Sequence, residues 1–196
     1  MLTMQTELLL PTPPAIEHGN LPGLFYQANF ISEAEEADLM RTVETLPFER
    51  FKFRQYLGNR RVCAFGFEYD FTRRAVEPAP PLPQFLEDLR GRAAAFAGID
   101  REELVQEQVL EYAPGAPIGW HRDKPEWETV IGVSLGAPAV LRFRKRDGDT
   151  WIRASQRVEP RSIYVMSGEA RHEWEHSIAP QTDLRYSLMF RSLADR

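Results

Sequence analysis

Apolar positions recur at two different periods along this chain, and the change between them divides it. Leu24-Phe25-Tyr26 is a short apolar run of strand character. Ser32 followed by Glu35 has the spacing of a capping box, and Leu39, Val43 and Leu46 then recur at helical spacing until Pro47 stops the run. Residues 62–70, Val-Cys-Ala-Phe-Gly-Phe-Glu-Tyr-Asp, are aromatic-rich and predict a strand. The stiff connector Pro78-Ala79-Pro80-Pro81-Leu82-Pro83 leads into a second predicted helix with Phe85, Leu86, Leu89 and Phe96 on its buried face.

From about residue 106 the period shortens. Strands are predicted at roughly 107–112, 118–123, 129–135, 138–145, 150–158, 161–167 and 184–191, with Asp147-Gly148 as a hairpin turn. Many short strands separated by turn signals predict a sandwich or jelly roll rather than a βαβ sheet. The expected fold class is therefore α+β, mainly β, in a single domain. Residues 1–20, with Pro11, Pro13 and Pro14, read as a poorly ordered arm. Residues 21–105 read as a helical elaboration, and 106–196 as the β core.

Composition narrows the setting without naming a function. The 196 residues are 43% hydrophobic and 27% charged, ordinary values for a globular protein with one substantial core. The single cysteine, Cys63, allows no intramolecular disulfide and fits a reducing compartment. The apolar run Leu8-Leu9-Leu10 stops at Pro11, too short for a signal peptide or membrane span, so the expectation is a cytoplasmic monomer with no membrane partner. A net charge of −5 weighs against nucleic acid as a partner, because phosphate binding draws on basic surface. Local strips point the other way. Residues 50–56 alternate cations with aromatics, Arg60-Arg61 follows, and Arg142, Arg144, Lys145 and Arg146 form a second cluster.

Candidate chemistry centres on His121-Arg122-Asp123. In an extended strand positions 121 and 123 share a face, so an imidazole and a carboxylate reach one ion while Arg122 points away. His176, on a later segment, supplies a third ligand. Two imidazoles and one carboxylate are the donor set of non-haem Fe(II), with positions left for a bidentate ligand and O₂. The triplet alone is weak, since two polar residues at a strand end account for it equally well.

The last predicted strand adds weight. Arg185, Ser187, Met189 and Arg191 share one face, and Tyr186, Leu188 and Phe190 form the other, which must be core. Arginines on a strand buried on both sides require anions. At ~3.3 Å per residue their α-carbons are about 20 Å apart. At that separation they suit opposite ends of one dicarboxylate, or one suits the ligand and the other a protein acid; a pair of surface or ion-paired arginines accounts for them equally well.

A competing motif overlaps the first. His172-Glu173-Trp174-Glu175-His176 satisfies H-E-x-x-H, the pattern of zinc metalloproteases, which in a helix would pair two zinc ligands with a general base. After His176 only Asp183 and Asp195 remain as acids, and no third histidine follows. His172 then becomes a rim residue, with Glu126, Trp127, Arg171 and Trp174 as candidates for a substrate mouth. A non-catalytic module with a degenerate site is a further alternative, opposed by the intact ligand set.

Tyr112-Ala113-Pro114-Gly115, His121-x-Asp123, Val133-Ser134-Leu135-Gly136, Ser167-Gly168-Glu169-Ala170-Arg171, His176 and Arg185-x5-Arg191 together resemble the AlkB family of Fe(II)/2-oxoglutarate dioxygenases. The resemblance covers roughly residues 108–193. It implies a double-stranded β-helix core, with iron on His121, Asp123 and His176. It further implies that Arg185 pairs with the distal carboxylate of 2-oxoglutarate, that Arg191 lies near the iron-side carboxylate, and that Tyr112 contributes a hydroxyl. Leu110 and Ser187 depart from the family, standing where it has asparagines; Ser187 is retained here as a co-substrate contact. Arg60-Arg61-Val62-Cys63-Ala64-Phe65-Gly66 is similar to the family's flap over the substrate, with Arg60, Arg61 and Phe65 as contacts. The implied activity is oxidative demethylation of alkylated DNA or RNA bases, using Fe(II), 2-oxoglutarate and O₂; the alternative is hydroxylation of a protein or small molecule.

Overall fold

The computed structural model describes residues 21–53 and 56–195, with only the backbone for residues 51–53 and 56–59. The predicted arm, and the side chains of the basic-aromatic strip from Phe51 to Tyr56, lie outside the described residues. In chain order the strands are β1 (Leu24–Gln27), β2 (Glu49–Phe53), β3 (Tyr56–Phe65), β4 (Phe67–Asp70), β5 (Ala75–Pro78), β6 (Leu104–Tyr112) and β7 (Ile118–His121). They continue as β8 (Trp127–Gly136), β9 (Ala139–Asp147), β10 (Thr150–Val158), β11 (Ile163–Met166), β12 (Glu175–Ile178) and β13 (Arg185–Leu193). Among the described residues three α-helices interrupt them: α1 (Glu33–Val43), α2 (Glu87–Ala97) and α3 (Gly168–His172).

The strands build a seven-stranded sheet of order β1-β11-β8-β13-β6-β3-β2 and a four-stranded sheet of order β10-β9-β12-β7. Their pairings are antiparallel, as the expected jelly roll requires, and β4–β5 form a separate hairpin. The larger sheet is buried on both faces. One face packs on α1 and α2 through Val109, Val133, Tyr186, Leu188 and Phe190. The other meets the smaller sheet, where Tyr112, Tyr164 and Met189 pack with Leu141, Phe143 and Ile178. Odd and even positions of β13 thus serve different cores, as the period-2 reading expects.

Local signals act where the sequence places them, with adjustments. The Ser32 hydroxyl accepts the Glu35 amide at 3.2 Å and starts α1. The Glu35 carboxylate turns instead to Arg92 of α2, linking the two helices. Helix α2 ends at Gly98, whose φ of +71° favours glycine. The predicted strand over 62–70 is broken at Gly66 into β3 and β4, and that over 118–123 stops at His121. Strand β12, which carries His176, has no clear alternation and was not expected. Among the described residues no helix is long and apolar enough to cross a membrane.

One buried acid disturbs the helix-side core. Glu107 on β6 is fully buried, and both carboxylate oxygens lack a hydrogen-bond partner among the described residues. Burial pushes its carboxyl well above the ordinary range, against the pull of Arg90. The folded chain therefore holds this proton more tightly than the unfolded chain. Its contribution to stability is intact below the ordinary carboxylate pKa and is lost as pH rises through the raised one. Glu107→Gln is expected to unfold like wild type near pH 4 and to be about 1–3 kcal/mol more stable at pH 8. Superimposable urea curves at both pH values would refute this.

Candidate active site

His121 ends the edge strand β7 and pairs across the sheet with His176 of β12, so one register brings two imidazoles together. Their ring centroids are 4.2 Å apart. Asp123, just past the strand, turns back to the pair, and the three ligand atoms lie within 4.8 Å of one another. His176 Nε2 is 3.6 Å from Asp123 Oδ2, close enough for both to reach one ion through bonds of ~2 Å. His121 Nδ1 lies 2.8 Å from the Gly119 carbonyl; donating there leaves Nε2 as the metal-facing lone pair.

The electrostatics fit a cation. Burial alone would raise the Asp123 carboxyl, but Arg191 and the two histidines overcome it and hold the group well below the carboxylate range. Asp123 Oδ2 is buried without a hydrogen-bond partner among the described residues, an orphaned acceptor inside the triad. Burial, reinforced by the neighbouring His121, pushes His176 down to about 3, so its imidazole stays neutral and able to ligate.

The two β13 arginines divide their roles as one sequence reading allowed. Arg191 Nη2 donates to Asp123 Oδ1 at 3.2 Å, and its Nη1 donates to Gln106 at 2.9 Å. That arginine serves a protein acid. Arg185 is fully buried and donates from Nε to Ser134 Oγ at 3.0 Å, while Nη1 and Nη2 have no partner among the described residues. A buried guanidinium with both terminal nitrogens open is a receptor for a carboxylate. Tyr112 lies across from it, ring centroid 5.2 Å from the guanidinium carbon. Ser187 faces the same interior and donates to Met189 Sδ at 3.1 Å.

Sequence reasoning missed Tyr164. Its ring lies over Gly132, 2.3 Å from where a β-carbon would stand, so only glycine permits it to enter the space between the sheets. Burial, with Arg185 pulling the other way, pushes its phenol up to about 12 and keeps it a neutral donor. The Gly132 opposite Tyr164 was the one signal that could have revealed it. The β4–β5 hairpin was missed as well. Its Tyr69 and Phe71 rings receive the Lys124 ammonium at 4.9 and 5.1 Å, next to the triad.

The predicted substrate contacts separate. Arg60 lies in the field of Tyr112, Arg191 and Asp123, and burial lowers its pKa. Arg61, one residue on, faces away: its Nε donates to Glu111 at 2.6 Å on the helix side. Phe65 shares that parity and is buried among the helices, so neither lies at the site. Trp127 is 3% exposed in the inter-sheet core, which removes it from the mouth. Arg171 is also buried; its Nη2 donates to the Lys124 and Trp127 carbonyls and fixes the loop after Asp123. Glu126 is half-buried on that loop. The H-E-x-x-H helix does not form. Helix α3 ends at His172, which is exposed and lies 2.9 Å from Glu128, while His176 is already in β12.

Comparisons with known proteins agree with this geometry. The family model described as "2OG-Fe(II) oxygenase superfamily" matches residues 23–191. The Arabidopsis thaliana "Alkylated DNA repair protein ALKBH8 homolog" is 29% identical over 185 residues, covering 81% of this chain and 51% of its own. The Escherichia coli dioxygenase AlkB is 32% identical, covering 59% of this chain and 57% of its own. The mouse "tRNA (carboxymethyluridine(34)-5-O)-methyltransferase ALKBH8" is 30% identical over 82% of this chain and 24% of its own, so the chain spans about half or less of the first relatives it matches. Among solved structures, OsALKBH1 superposes with a TM-score of 0.64 at 19% identity, covering 89% of this chain and 99% of its own. A Pseudomonas putida prolyl-4-hydroxylase reaches 0.59 at 15% identity, covering 88% and 94%. The match over residues 23–191 makes the chain a member of the 2OG-Fe(II) oxygenase superfamily, and its relatives place it within that superfamily in the AlkB family.

Proposed function

We propose that this chain is an Fe(II)/2-oxoglutarate-dependent dioxygenase that removes N-linked alkyl groups from nucleic-acid bases by oxidation. The observation that carries the co-substrate is Arg185, whose two terminal nitrogens are buried and open. When bound, Fe(II), 2-oxoglutarate and O₂ supply the oxidation of a C–H bond, with release of CO₂ and succinate. The protein's part is position and exclusion of water. His121, Asp123 and His176 would hold the ion, and Arg191 keeps Asp123 ionised and oriented. Arg185 takes the distal carboxylate, with Tyr112, Ser187 and the neutral Tyr164 hydroxyl lining the same interior. The nucleic-acid assignment is supported by the relatives named for alkylated DNA and tRNA, and by Arg60 beside the triad.

The direct test is mass spectrometry of N-methylated single-stranded DNA and RNA after incubation with the iron-loaded chain and 2-oxoglutarate. Product lighter by one CH₂, with the methyl carbon released as formaldehyde and replaced on nitrogen by hydrogen, is expected. Succinate formed without change in any oligonucleotide would redirect the assignment to a protein or small molecule. Single variants resolve the flap. Arg60→Ala is expected to weaken oligonucleotide binding about tenfold, a typical effect for lost phosphate pairing in a partly buried site. Arg61→Ala, which removes contacts with Glu111 and Phe48 away from the triad, should leave it unchanged. Equal losses in both variants would contradict the parity of β3.

A further inference from the structure

The second basic cluster is left unused by this site, and the smaller sheet orders it. Leu141 and Phe143 of β9 point into the inter-sheet core, so Arg142 and Arg144 face outward. Trp120 of β7 and Trp151 of β10 lie on the same outer surface and interleave with the arginines. The guanidinium carbon of Arg142 is 5.2 Å from the Trp120 ring centroid, and that of Arg144 is 4.5 Å from it. Arg144 is also 4.2 Å from Trp151, and Arg146 is 4.9 Å from Trp151. The result is a continuous ladder, Arg142-Trp120-Arg144-Trp151-Arg146. It crosses the whole sheet, three strand spacings or about 14 Å.

Its charge runs against that of the chain. Arg144 is matched by Glu175, but Arg142 donates to Ser177 Oγ and Arg146 to the Asp149 carbonyl. Arg153, placed on the same face by its pairing opposite Arg144, is exposed. Among the described residues Arg142, Arg146 and Arg153 have no carboxylate partner, on a protein of net charge −5. Cation–π contact holds these guanidinium groups against the indole rings, and the N–H groups not used by Ser177, Glu175 and Asp149 remain for anions. Alternating π-planes and donors match the alternation of bases and phosphates in a single strand. A carboxylate-bearing peptide offers the charge but no repeating rings. Trp120 also adjoins His121 on the edge strand, so a chain leaving the metal site round that edge arrives on the ladder.

We propose that this Arg–Trp ladder is a second nucleic-acid contact, holding the single-stranded flank of the strand whose modified base occupies the active site. The proposal rests on the nucleic-acid reading above. Fluorescence anisotropy with labelled single strands of about 5 and about 15 nucleotides, spanning the usual range of site sizes, tests it. Arg153→Glu and Trp151→Ala are expected to weaken the longer strand about tenfold and the shorter less than about twofold, with Trp151→Phe recovering most of the loss. Arg153→Glu should also flatten the slope of log affinity against log salt by about 0.7 for each phosphate it no longer neutralises. Arg153 is exposed and forms no ion pair among the described residues, so that variant keeps the fold if Trp151→Ala does not. The ladder is overturned if both variants hold the longer strand with wild-type affinity and salt slope. If Arg60→Ala still weakens both lengths in that experiment, the nucleic-acid reading survives alone. Displacement of the strand by polyglutamate at equal charge concentration would also overturn the base-stacking role. A wild-type chain that binds neither length overturns both proposals.

Discussion

Replacing Arg185 with methionine is expected to remove 2-oxoglutarate binding while raising the melting temperature of the ligand-free protein. The two effects have one cause. The fully buried Arg185 guanidinium donates to Ser134, and its two terminal nitrogens have no partner among the described residues. Exchanging an uncompensated buried charge for an apolar side chain of similar length is stabilising by about 1–4 kcal/mol. That corresponds to a rise of about 2–4 °C for each kcal/mol in a chain of this size. Binding shows the reverse, because the carboxylate loses its partner in a desolvated site, a loss of about 2–5 kcal/mol. The affinity then falls from about thirtyfold to several thousandfold. Thermal unfolding with and without 2-oxoglutarate, in the presence of a redox-silent divalent metal, reads both. A ligand-induced shift in Arg185→Met equal to that of wild type would remove Arg185 from the co-substrate site.

The metal ligands give the second large effect. His121→Ala and Asp123→Ala are each expected to lose Fe(II) binding, whereas His172→Ala retains it, because His172 is exposed on Glu128 and outside the triad. Metal content after anaerobic loading and gel filtration separates them. Retention by His121→Ala together with loss by His172→Ala would restore the protease motif. Asp123→Ala has an additional cost. It leaves Arg191, 7% exposed, without its carboxylate, and a broken buried pair destabilises by about 3–5 kcal/mol. Asp123→Asn keeps a neutral acceptor for Arg191 and should recover much of the stability but little of the metal.

What the sequence made legible follows from how local each signal is. The alternation of Tyr186, Leu188 and Phe190 against Arg185 and Arg191 is a period-2 pattern within one strand, and both faces lie where that pattern puts them. Ser32 and Gly98 are single-residue end signals that act through their own neighbours. The misses are relations between distant segments. Arg60 and Arg61 are equivalent in composition, and only the pairing of Arg61 with Glu111 on β6 decides which one faces the triad. Phe65 and Trp127 have the character of substrate-stacking rings, but the two cores absorb them first. Tyr164 was hidden because its role depends on an absent side chain, at Gly132 on another strand. The short strand of His176 has no alternation of its own and is a strand because β7 and β9 flank it.

The two-sided burial of β13 has a consequence for how such a protein changes over generations. Odd positions of this nine-residue strand face the space between the sheets, where Arg185 is open and Arg191 meets Asp123, while even positions meet the helices. Side chains on opposite faces pack in different cores, so the free energies of substitutions there approach additivity. Chemistry and fold maintenance are thus inherited through separate registers of one segment. Lineages can exchange the residue at 187 or 189, retuning what the interior accepts, without renegotiating Tyr186, Leu188 and Phe190.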